Sequence, residues 1–405
     1  MKTMPFAGRI RAVVAATALS SLGACASLPR TPYTASESAA AEVAGIPGAR
    51  IFADVPLERY ATFMGARQPR SRPFTYLALS GGGGDGAYGA GVLNGWSAAG
   101  TRPEFSLVSG VSTGALIAPF AFLGTAYDPV LTEIYTSGVA SSLVANPSLA
   151  NVVFGSGLFG DQRLRDLVGR YVTTDLLAAV ASEHAKGRRL LVMTTNLDAK
   201  RAMVWNMGTI AASGAPSAMA LFRDVLTASA SVPAVFQPQL FDVQAEGRVH
   251  QELHVDGAVV APVFILPQAA LVGDRIRGAP GKADFYVLMN GRIDPEFEIV
   301  RAETLPIVQQ TLATGAQARS SASLAAAYAF AASRRAGFHL AYIDGSAPRP
   351  TTVDGFEVSY MRSLYEAGFE KARSGTAWRS RVPLTAPGDV ASSVGAPRRG
   401  PGSGL

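Results

Sequence analysis

The chain has 405 residues, 48% hydrophobic and only 16% charged, which is globular composition with room for one large domain or two smaller ones. Its formal net charge is +6; setting aside Lys2, Arg9 and Arg11, which lie in a leader without acidic residues, leaves +3. A charge that small argues for no nucleic-acid partner and fits at most a mild attraction to anionic lipid, and the single cysteine, Cys25, rules out an intramolecular disulfide.

Residues 1–11 are basic, residues 12–22 form a short apolar run, and Gly23-Ala24 supplies small side chains before Cys25. This is the layout of a secretory signal peptide over residues 1–24, with an apolar part too short to span a bilayer as a helix. Leu22-Gly23-Ala24-Cys25 also resembles the lipobox of bacterial lipoproteins, which implies cleavage before Cys25 and acylation of its thiol. At ~0.8 kcal/mol per buried methylene, several fatty acyl chains hold a protein to a membrane without any spanning segment. Ala26, rather than Asp, follows the cysteine, and this points to the bacterial outer membrane, on its periplasmic side. Residues 25–72 mix Pro, Ser, Thr and Ala with little periodicity, and are read as a lipid-anchored tether and an arm lying on the domain, ordered over 51–60.

From residue 73 to 345 apolar runs alternate with helical patterns. Phe74–Leu79 is predicted as a buried strand, 87–99 as a helix, 105–108 as a short strand, 110–114 as a turn, and the apolar stretch to Leu123 as a helix. Further strands are predicted at 190–195 and 202–205, a helix at 217–229 that stops at Val232-Pro233, and short strands at 253–255 and 285–289. The alternation implies an α/β fold, with a mainly parallel central sheet flanked by helices. Residues 306–336 are Ala-rich and helical, in one piece or two, and a helix at 358–372 belongs to an extension, 346–384, packed on the domain. Residues 385–405, rich in Gly, Pro and Ser, are expected to form a disordered tail.

Ser80-Gly81-Gly82-Gly83-Gly84-Asp85-Gly86 follows the first strand and opens a helix. Backbone at such a place presents several N–H groups toward one point, helped by the helix N-terminus. That suits either a phosphate or the oxyanion of a tetrahedral acyl intermediate. Gly81, Gly83 and Gly86 match G-x-G-x-x-G, with Glu104 downstream, but the next strand ends in no acidic residue for a ribose hydroxyl. No Lys-Ser or Lys-Thr completes a P-loop, so nucleotide binding is disfavoured. A purely structural tight turn is the plainest alternative.

Gly110-Val111-Ser112-Thr113-Gly114 lies between a strand and an apolar helix. In that context G-x-S-x-G forces a sharp bend that lifts the serine hydroxyl above the sheet edge. A hydroxyl needs a neighbour to take its proton. Of four histidines, His184 sits in a polar segment and is expected on the solvated surface, while His339 opens a late strand as a packed or edge residue. His250 and His254 flank a strand leading into Asp256-Gly257-Ala258, a carboxylate in a tight turn. On the residues alone the base is either Asp256 or His254.

Taken together, the glycine loop (Gly81, Gly82, Gly83, Gly84), the serine elbow (Gly110, Ser112, Gly114) and Asp256-Gly257-Ala258 resemble, in type and order, the patatin-like phospholipase family. Ala228-Ser229-Ala230-Ser231-Val232-Pro233-Ala234-Val235-Phe236 resembles the segment that precedes the aspartate there, and the likeness covers about residues 74–290. It implies a three-layer patatin-like architecture and a Ser112–Asp256 dyad without histidine, with His254 as local support or spectator. It also implies main-chain donors in the glycine loop, and hydrolysis of lipid acyl esters with no cofactor or metal. Asp85 departs from the family, which often has Arg or Lys there; Asp85 is expected to cap the following helix. The histidines and lone cysteine show no metal-ligand spacing, calcium included. Acyl transfer to an alcohol other than water, and a non-catalytic lipoprotein that keeps the fold as a binding or scaffold module, are the competing readings; no protein partner is indicated.

Overall fold

The structure, a computed structural model, describes residues 30–65, 73–144, 162–271, 283–294, 299–351 and 355–383. The signal peptide, the lipobox with Cys25 and the tail at 385–405 lie outside the described residues. In chain order the elements are α1 (Ala35–Ala40), β1 (Arg50–Phe52), α2 (Leu57–Met64), β2 (Phe74–Leu79), α3 (Gly86–Ala98), β3 (Leu107–Val111), α4 (Thr113–Leu123) and α5 (Asp128–Thr136). There follow α6 (Gln162–Tyr171), α7 (Thr174–Ala185), β4 (Arg189–Asn196), β5 (Arg201–Asn206), α8 (Met207–Ala212), α9 (Ala218–Ser229), β6 (Gln239–Ala245) and β7 (Arg248–Asp256). The last elements are α10 (Gln268–Leu271), β8 (Ala283–Leu288), α11 (Thr304–Ser333), β9 (Gly337–Ala341) and α12 (Val358–Arg373).

Among the described residues nine strands form one sheet, in the order β1-β5-β4-β3-β2-β8-β9, with β7 pairing β4 and β6. The centre, β4-β3-β2-β8-β9, is parallel, and β1, β5, β6 and β7 add to it antiparallel. The parallel strands are buried on both faces, which is why they read as nearly unbroken apolar runs: every residue of β3 and β4 is buried. Helix α4 is apolar all round for the same reason, and nine of its eleven residues are buried.

Helix α12 crosses α3 at backbone contact. A Cβ on Gly91 would stand 2.0 Å from the Tyr365 carbonyl oxygen, and one on Gly95 2.1 Å from that of Phe369. Asn94 ties the same crossing together, its Nδ2 donating to the Tyr365 hydroxyl at 2.9 Å. At the other end, the arm is woven into the sheet: β1 is an edge strand on β5, and Glu42 bridges to Gln244 of β6.

Candidate active site

Two strands meet head to head along one edge of β4. β3 runs parallel to β4 as far as Val111, opposite Met193, while β7 arrives antiparallel and ends at Asp256, opposite Thr194. Adjacent positions on β4 therefore bring the residue after β3, Ser112, against the last residue of β7. Gly257 makes the seam close: a Cβ there would lie 2.4 Å from the Met193 carbonyl oxygen and 3.0 Å from Val111 Cγ1.

Ser112 holds φ 55° and ψ −126° between β3 and α4, a backbone that non-glycine residues rarely adopt. The predicted turn at 110–114 is in fact this single residue. Gly110 and Val111 remain in β3, because β2 pairs it as far as Gly110, opposite Leu79, and β4 as far as Val111, opposite Met193. The flanking glycines are required by space, since a Cβ on Gly110 would lie 2.4 Å from the Gly114 carbonyl oxygen. A Cβ on Gly114 would lie 2.5 Å from the Leu79 and Ser80 carbonyl oxygens.

The end of α9 locks both strand termini. Ser112 N–H donates to Ser229 Oγ at 3.1 Å, and that hydroxyl donates to the Met193 carbonyl at 2.7 Å. Asp256 N–H donates to the Ser231 carbonyl at 3.0 Å. The carboxylate is buried, its Oδ1 accepting from Ala258 N–H at 2.7 Å, and its Oδ2 is without a hydrogen-bond partner among the described residues. Burial pushes the Asp256 carboxyl up to about 7, opposed by the nearby Ser112 hydroxyl and by Ala258 N–H. The hydroxyl thus stands close enough to favour the carboxylate while Oδ2 keeps no hydrogen-bond partner among the described residues. A carboxylate of that proton affinity is a base suited to neutral pH.

The loop after β2 lies directly over the serine: a Cβ on Gly81 would come within 3.0 Å of Ser112 Cβ. Gly82 (φ 157°) and Gly83 (φ 56°) hold backbones that call for glycine. Gly81 does not fit the expected role of oxyanion donor, because its N–H already donates to the Pro262 carbonyl at 2.9 Å. Gly82, Gly83 and Gly84 are the remaining candidates. Asn290, just past β8, anchors the loop, its N–H donating to Ser80 Oγ at 2.8 Å and its Nδ2 to the Ser80 carbonyl at 2.7 Å. Asp85 makes no side-chain cap on α3, contrary to expectation; its carboxylate accepts from the Tyr360 hydroxyl instead.

His254 is buried with both ring nitrogens engaged, Nδ1 with Thr194 Oγ1 at 2.9 Å and Nε2 with Glu252 Oε2 at 3.3 Å. Burial lowers its pKa against the pull of Glu252. Those commitments weigh against His254 as the base. His250 is buried and stacked on Tyr33, with ring centroids 4.1 Å apart. His339 lies within β9, stacked on Tyr286 and bonded to Asp284 at 2.9 Å. His184 is not the solvated residue its sequence suggests: it packs on Gly208, where a Cβ would come within 2.2 Å of its Nδ1, and burial lowers its pKa to about 4. Among the described residues no group of three or more His, Cys, Asp and Glu is placed to hold a metal.

An elbow serine, a buried carboxylate and a glycine loop thus come together at one end of a mixed sheet whose centre is parallel. Residues 77–267 match the model of the patatin-like phospholipase family. No curated protein matches the chain. Among solved structures, VipD from Legionella pneumophila aligns with 75% of this chain and 67% of its own, at 11% identity and a TM-score of 0.37.

Ser229, Asn290 and Tyr360 are contacts of the site that the sequence did not disclose. For Ser229 the only signal was the likeness of the segment 228–236 to its family counterpart; for Asn290 and Tyr360 there was none.

Proposed function

We propose that the chain is a lipid acyl hydrolase working through a Ser112–Asp256 dyad. Ser112 Oγ attacks the ester carbonyl carbon as its proton passes to Asp256, and N–H groups of Gly82, Gly83 and Gly84 take the oxyanion. Collapse of the intermediate expels the alcohol, which leaves with the proton from Asp256. Water then attacks the acyl-serine, Asp256 takes its proton, and release of the fatty acid restores Ser112. The observation that carries this reading is the head-on meeting of the strained serine with a buried carboxyl whose pKa is raised to about 7.

The substrates would be acyl esters of phospholipids, lysophospholipids or neutral glycerolipids. Replacing Ser112 by Ala is expected to abolish hydrolysis of p-nitrophenyl butyrate while leaving the circular dichroism spectrum unchanged; turnover retained in that variant rejects the dyad.

The second part of the proposal concerns location. No helix among the described residues is long and apolar enough to cross a membrane. Acylation of Cys25 would tether the domain to the bacterial envelope, with the outer membrane favoured by Ala26. Cys25→Ser is expected to move the protein from the membrane fraction to the periplasmic extract, and unchanged fractionation counts against the tether.

A further inference from the structure

Each residue of the glycine loop rests on a backing from elsewhere in the chain. A Cβ on Gly82 would lie 1.7 Å from the Asn290 carbonyl oxygen. A Cβ on Gly83 would meet the Phe356 ring at 3.4 Å, and one on Gly84 would lie 2.1 Å from the Gly355 carbonyl oxygen. Asp85 Oδ1 accepts from the Tyr360 hydroxyl at 2.6 Å. Three of these four backings come from residues 355–360, outside the stretch 77–267 that matches the family. The segment is itself fixed, since its second half opens α12, which crosses α3 at backbone contact.

We propose that Tyr360, through its hydrogen bond to Asp85, is a positioning residue that holds the Gly82–Gly83–Gly84 amides in the geometry that receives the oxyanion. The inference rests on the hydrolase reading above. Four glycines in succession have little conformational preference of their own, and an oxyanion hole works only when its donors are already aimed before charge develops. The anion at the end of the loop, Asp85, is held by the C-terminal helix through Tyr360. Burial and the neighbouring carboxylate both push the Tyr360 hydroxyl above its ordinary range, so it stays a donor wherever the enzyme works.

The test uses the full chain and two readouts, kinetics on p-nitrophenyl butyrate and amide hydrogen exchange of residues 81–86. Tyr360→Phe is expected to lower kcat about ten-fold, with KM and the thermal midpoint unchanged, and to speed exchange in the loop. Asp85→Ala should do the same, the double variant should lose no more than either single one, and Asp85→Asn, which keeps an acceptor, should restore most of kcat. Wild-type kcat in Tyr360→Phe, or losses that add in the double variant, overturn the proposal. A change confined to KM does so too. If the wild-type chain hydrolyses no ester, the hydrolase reading falls; exchange alone then decides whether Tyr360 holds the loop.

Discussion

Asp256 carries opposite demands of folding and chemistry. Burial raises its carboxyl from 3.8 to about 7, so folding favours the protonated form. Its contribution to stability is therefore complete below about pH 4 and is lost as pH rises through about 7. In the proposed mechanism activity runs the other way, because Asp256 as base must be ionised, so kcat/KM is expected to rise with pH through a limb near 7. Asp256→Asn should be inactive, yet more stable than the native chain above pH 7 by up to about 4 kcal/mol. Denaturant titrations at pH 5 and 8, with a pH–rate profile, check both; a limb near pH 4 is incompatible with the burial described. Ser112, Asp256 and the glycines were visible in the sequence because short-range patterns announce them. The preference for Asp256 over His254 as the proposed base was not visible from the residues alone. It depends on Thr194 and Glu252 occupying the imidazole, and these are contacts that only the fold creates. The same holds for Gly81, whose N–H is taken by Pro262, distant in sequence.

At the scale of elements, the parallel core was legible and the β6–β7 hairpin was not. The strand expected at 253–255 runs over Arg248–Asp256, and β6 was not anticipated at all. The reason is an inverted alternation: His250, Glu252 and His254 point inward and are buried, whereas Val249 is 60% exposed. A search for apolar residues at every second position passes over a strand whose buried side is polar. Its turn is equally quiet, with Glu246 and Gly247 both at positive φ (51° and 78°), a primed hairpin turn whose first position carries Glu rather than Asn or Asp. Phe74–Leu79, in contrast, coincides with its expected span, because its last four residues are all buried and the run is almost wholly apolar.

Across the whole molecule, the inverted face of β7 is what the N-terminal arm attaches to. Arg50 of β1 pairs with Glu252, both side chains almost fully buried, and also donates to the Ala41 carbonyl. Ser38 Oγ donates to Glu252 at 3.2 Å. Nearer the start, Arg30 and Tyr33 both donate to Asp198. Burial alone would raise the Glu252 pKa, yet bonds from His254 and Arg50 hold it down to about 2. Its stabilising effect is thus present above its ordinary pKa and is lost as pH falls toward 2. Glu252→Ala leaves Arg50 charged and buried, and is expected to destabilise the protein by about 3–5 kcal/mol. Adding Arg50→Met should recover much of that loss, as urea titrations can measure. A single variant within 1 kcal/mol of the native chain would mean that water reaches Arg50.

On the proposed mechanism, the seam where β3 and β7 abut on β4 would make catalytic competence discontinuous. A slip of β7 by one residue shifts the carboxyl by about 3.3 Å and turns it to the opposite side of the sheet. Misalignment by half a step has no hydrogen-bonded form to occupy. Heating or partial denaturation should accordingly thin the number of working copies while each survivor keeps its full turnover, so that hydrolysis counts molecules in which that junction is intact.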